Sequence, residues 1–161
     1  MIITTTFIIL MIIVFILVWL FINTIDKRKW LTFLVSLALA PIVYFYVFYP
    51  LLNIFSSYHH KKHFNAEAWK ESPGLRYEMS DNILNDSVFI GKTKTEIAQF
   101  LGKSEWYGWD DTLKTNTPNK WNYNLGLKPG AFNNKQECIE IQFEKNKVKT
   151  VSQYQLERSF E

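Results

Sequence analysis

Only four side chains between Met1 and Tyr58 carry a fixed charge, and they are consecutive: Asp26-Lys27-Arg28-Lys29. On either side lies an apolar run longer than the roughly 20 residues a helix needs to cross the hydrocarbon core of a bilayer. The pattern predicts two transmembrane helices, over about 2–25 and 30–56, joined by the charged turn. Trp30 at the start of the second run and Tyr44, Tyr46, Tyr49 and Tyr58 towards its end fit interfacial anchors. Pro41 falls mid-span, where transmembrane helices tolerate it, and Ser36 and Ala38 give a small-residue packing signal. Neither run holds an Asp, Glu, Lys, Arg or His, so no proton relay or ion path is expected. No basic segment precedes the first run and no A-x-A-like site follows it, which favours a retained helix over a cleaved signal.

The remaining chain is of a different kind. Residues 64–161 hold 13 Lys+Arg and 14 Asp+Glu, so the whole-chain net charge of +3 comes from residues flanking the apolar runs. A basic excess placed where lipid headgroups would sit argues for a bilayer as partner and against nucleic acid. Lys27, Arg28 and Lys29 in the turn favour a cytoplasmic turn, which puts residues 60–161 on the outer side.

From Phe64 onward the sequence reads as helices first and strands later. Residues 59–74 read as a linker, and residues 75–156 as an α+β domain of order α-α-β-β-β, with two helices on a three-stranded antiparallel sheet. Met79, Ile83 and Leu84 mark a short amphipathic helix. Thr93-Lys94-Thr95-Glu96 is a capping box; Ile97, Phe100 and Leu101 form one stripe, and Gly102 ends the helix. Trp121–Leu125, then Ile139, Ile141 and Phe143 alternating with Glu140, Gln142 and Glu144, then Val148–Tyr154 give three strands. Lys145-Asn146-Lys147 supplies the last hairpin turn.

Three of these segments together resemble the SmpA/OmlA (BamE-like) domain family. They are the helix motif Ile90-Gly91-Lys92-Thr93 through Leu101-Gly102, the strand Trp121-Asn122-Tyr123, and the closing Ile141-Gln142-Phe143-Glu144-Lys145-Asn146-Lys147-Val148. The resemblance covers about 75–154 and implies two helices on a three-stranded sheet, in a bacterial envelope protein that binds other proteins and is not an enzyme. Two departures stand out: there is no lipidated N-terminal cysteine, and Lys103 replaces the proline that usually follows L-G. A role in outer-membrane barrel assembly therefore does not transfer. The expectation is a non-catalytic interaction module in the bacterial inner membrane, its C-terminal domain in the periplasm and its partner another envelope protein. The alternative is a small sensory or regulatory membrane protein whose domain binds a ligand.

Candidate sites are few. Trp106, Tyr107 and Trp109, around Gly108, are expected in a loop and are the candidate partner-binding residues, with cover for an open sheet edge as the competing account. His59 and His63 are four apart and would share a helix face, a weak metal candidate without an evident third ligand. Residues 64–161 contain no histidine, and Asp110-Asp111 fits a solvated turn better than a catalytic pair. Cys138, the sole cysteine, reads as a strand residue. No cofactor fingerprint is present and no cofactor is expected.

Overall fold

A computed structural model describes residues 1–157 and divides the chain into two compact units. One unit comprises residues 2–60 with Pro129–Ala131; the other comprises Lys61–Lys128 and the described chain from 132 to 157.

The first unit is a pair of helices long and apolar enough to cross a membrane. Helix α1 (Thr5–Ile25) starts at Thr4, whose hydroxyl accepts from the Phe7 amide at 3.2 Å. It stops at Asp26, whose carboxylate takes the Arg28 amide at 2.8 Å and the Arg28 guanidinium at 2.7 Å, closing the turn. Helix α2 (Lys29–Val43) runs on through a π-helical turn (Tyr44–Phe48) into α3 (Tyr49–Phe55), 27 helical residues in all. The widening follows Pro41, which has no N–H for the ladder and crowds the preceding turn. The Tyr44 amide is accordingly shared between the carbonyls of Ala40 and Pro41. Thr32, Ser36 and Ala40 are buried at four-residue spacing, so the small-residue seam runs through Ala40, while Ala38 is exposed. Only 6 % of the most apolar window of α1 and 22 % of that of α2–α3 is buried, whereas a core helix of a soluble protein would be mostly covered.

The second unit is α+β, and its sheet has four strands instead of the expected three. β1 (Trp106–Asp110), β2 (Thr115–Leu127), β3 (Lys135–Glu144) and β4 (Lys147–Glu157) form an antiparallel meander in the order β1-β2-β3-β4. The stretch expected as an aromatic loop is therefore an edge strand. Three helices accompany the sheet: α4 (Ala66–Glu71), α5 (Tyr77–Asn85) and α6 (Lys94–Leu101). α4 lies inside the segment read as a linker. It is capped by Asn65, which accepts from the Ala68 amide at 2.8 Å, and it buries Trp69 completely.

Alternation along the strands sends Tyr123 and Leu125 of β2 and Ile139, Ile141 and Phe143 of β3 to one face. There they pack with Trp69, Met79, Ile83, Phe89, Ile97 and Leu101 in one core. The Thr93–Glu96 capping box is formed in both directions. Next to it, Gly91 N–H donates to Val148 O at 2.9 Å and Val148 N–H to Lys92 O at 2.8 Å, so the entry to α6 pairs with the start of β4. Arg76 ties the helical layer to the sheet. Its guanidinium stands 4.7 Å from the centre of the Trp69 ring and donates to the carbonyls of Trp69 (2.8 Å) and Asn124 (3.0 Å) and to Glu105 (2.6 Å). Gly126 is glycine of necessity: its φ is +93°, and an added Cβ would lie 2.2 Å from Gly74 O.

Candidate functional site

The aromatic residues singled out in the sequence sit on β1 at the free edge of the sheet. Tyr107 and Trp109 are about half exposed, at 47 % and 53 %, and Trp106 is half-buried. In a regular strand, residues three apart face opposite sides. Here Trp106 and Trp109 line the same depression, because the β1–β2 register slips between Tyr107 and Trp109. Trp106 faces Asn122 and Tyr107 faces Trp121, but Trp109 faces Asn116. The surplus residues lie on β2 around Pro118, which cannot donate to the ladder. Two bonds hold the irregularity: Lys120 Nζ donates to Trp109 O at 2.8 Å, and Trp121 Nε1 donates to Pro118 O at 3.0 Å.

The depression, about 760 Å³, opens on the sheet face opposite the helices. Its floor is the cross-strand row Trp106, Asn122, Glu140 and Ser152, one residue from each strand. Tyr154 closes one side and donates its hydroxyl to Asn122 Oδ1 at 2.9 Å. Burial, with the Cys138 thiol beside it, pushes the Tyr154 phenol up to about 12 against the lowering effect of a hydrogen bond from Trp106. Gln142 Nε2 donates to Glu140 Oε1 at 2.8 Å. The other oxygen, Oε2, lies over Gly108, where a Cβ would come within 2.5 Å of it and within 3.0 Å of Asn122 Nδ2. Gly108 is thus fixed by close approach, since any side chain there would fill the floor.

Asn122 is 1 % exposed, and its Nδ2 has no hydrogen-bond partner. An unsatisfied buried donor costs about 1–3 kcal/mol, and a fold retains few of them. Sequence reasoning did not single out Asn122, Glu140, Ser152 or Tyr154. Their signal was polar residues alternating with apolar ones, which reads simply as a wet sheet face.

The remaining candidates divide. Asp110 Oδ1 accepts from the amides of Thr112 (2.9 Å) and Leu113 (3.1 Å). The Leu113 amide first, then that of Thr112, holds its carboxyl below the usual carboxylate range, so it works as a turn cap. Cys138 is fully buried in β3, and burial, with the Glu105 and Glu137 carboxylates, pushes its thiol up to about 11. No helix runs through residues 56–65, so the shared helix face expected for His59 and His63 does not form. His59 Nδ1 lies 3.0 Å from Ser57 O. Among the described residues no three His, Cys, Asp or Glu side chains gather as metal ligands.

Comparison of the chain with protein-family models, with curated proteins and with solved structures finds no match.

Proposed function

We propose that this protein is a membrane-tethered, non-catalytic interaction module of the bacterial cell envelope that receives a partner protein along the edge of β1. The observation that carries the reading is an uncovered edge strand whose first four residues, Trp106 to Trp109, include three large aromatics and no charge. Soluble proteins ordinarily blunt such edges with Lys, Pro or a cover. The opposite edge, β4, does carry Lys147 and Lys149. Backbone pairing to a partner strand, with Tyr107 and Trp109 as anchors, is the mode this edge suits.

The tether rests on the length, apolarity and uncovered faces of the two N-terminal helices. Lys27, Arg28 and Lys29 in their connection support a cytoplasmic turn and a periplasmic domain. Likeness to SmpA/OmlA domains rests on the three segments named above and accords with a binding role. Photo-crosslinking from position 107 in native membranes, paired with a C-terminal topology reporter, tests the whole reading. A discrete adduct that disappears in Trp109→Ala while the fold persists is expected. A cytoplasmic C-terminus, or no adduct from position 107, would sink it. The depression beside β1 favours a second reading, a sensory membrane protein whose domain takes up a ligand.

A further inference from the structure

The geometry points to a saccharide-binding site on the open sheet face, in which the Trp106/Trp109 depression holds one ring of a neutral glycan. The inference goes beyond the docking role of the β1 edge and does not depend on it. Its polar contacts come from β2, β3 and β4.

Three features select the ligand class. The depression has Glu140 and Asp111 among its lining residues and no Lys or Arg, which disfavours phosphates, nucleotides and other anions. At about 760 Å³ it has the size of small-ligand sites, and it is open, so the ligand is a hydrophilic one that keeps one side in water. Trp106 and Trp109, brought to one depression from either side of the register slip, offer flat apolar surface to the C–H face of a ring.

The polar groups narrow the choice further. Asn122 Nδ2 is an unpartnered donor and Glu140 Oε2 an acceptor, and both side chains flank Gly108. A ligand satisfying both must accept and donate at neighbouring atoms. Hydroxyls of a pyranose do so, and so does an N-acetyl amide on one. Ser152 adds an exposed hydroxyl on the same row. The side chain of a lysine or arginine would satisfy Glu140 and stack on Trp109, but it carries no acceptor of its own for Asn122.

The test is calorimetric titration of the full chain in lipid nanodiscs with triacetylchitotriose and with cellotriose. Saturable binding of at least one is expected, with Trp109→Ala and Glu140→Ala each weakening it by about tenfold or more. Ser152→Ala, at an exposed position, gives a second reading that does not depend on refolding of the floor and is expected to weaken binding about threefold. No saturable heat with either sugar up to about 10 mM would overturn the assignment. Binding that ignores all three substitutions would do the same, because the sugar would then sit elsewhere. An arginine-containing peptide that saturates the site while both sugars fail would transfer it to a protein partner. Failure of crosslinking at position 107 leaves this titration unaffected, so the two readings fail separately.

Discussion

Replacing Arg76 with methionine tests how the helical layer is held to the sheet. The residue is 8 % exposed, and its side chain reaches two backbone carbonyls and one carboxylate at 2.6–3.0 Å. Arg76→Met keeps an unbranched apolar side chain but removes the guanidinium from the Trp69 ring and leaves the carbonyls of Trp69 and Asn124 without this donor. Breaking a buried ionic contact costs about 3–5 kcal/mol when the remaining partner stays dry. The Glu105 side chain, however, is 36 % exposed and also accepts from the Asn124 amide at 2.9 Å, so water and that bond recover part of the loss. The net expectation is about 3 kcal/mol, most of it at the two carbonyls. For a domain of roughly 100 residues this lowers Tm by about 12–20 °C. Thermal unfolding of the full chain in detergent, followed by near-ultraviolet circular dichroism, reads the effect. In a double-mutant cycle with Glu105→Gln, the coupling should stay under about 1.5 kcal/mol. A loss below about 1 kcal/mol for Arg76→Met alone would refute the reasoning, since the carbonyls would then have found other donors.

Three further outcomes are expected. Gly126→Ala should destabilise by more than about 3 kcal/mol, because it adds backbone strain at φ +93° to a Cβ within 2.2 Å of Gly74 O; chemical denaturation checks it. Thr93→Ala should cost about 1 kcal/mol in the same assay by removing the acceptor for the Glu96 amide. The third concerns acid. Burial of Glu137 opposes its charge, but donors from Gln153 and Gln155 and the Lys128 ammonium outweigh it and hold the carboxyl below its ordinary range. The folded state therefore binds this proton less readily than the unfolded chain. Its contribution is complete above the unfolded value of about 4.3 and is lost as pH falls through the lower folded one. Glu137→Gln should flatten the acid limb of the stability profile, and an unchanged limb would reject the assignment.

How far the sequence disclosed this architecture depended on how each element is stabilised. Elements that bury a periodic stripe were visible: the two long apolar helices, α6 between its capping box and Gly102, and the alternation of β3. β1 was not, because Trp-Tyr-Gly-Trp does not alternate and its partner segment 115–120 is polar with a proline, which reads as loop. Its strand character comes from pairing with β2 and from the slip around Pro118, both non-local. α4 escaped because six residues are too few for a helical period, and Trp69 alone betrayed a core position. The aromatic part of the site was legible as composition. Its polar floor was not, since Asn122, Glu140, Ser152 and Tyr154 meet only through strand register.

The pairing at the entry to α6 brings together the two segments that lie farthest apart in the family resemblance. Lys92 and Gly91 exchange backbone bonds with Val148, Thr93 bridges to Lys147, and Lys94 N–H reaches Asn146 O at 3.3 Å. The hairpin tip therefore acts as a clasp across more than fifty residues of chain. Closing a loop of that length carries an entropic cost, which the clasp's backbone bonds and the core shared by Ile97, Leu101 and Val148 offset. Cutting away β4 would thus do more than bare an edge of β3: it would also unfasten the start of α6 from the sheet.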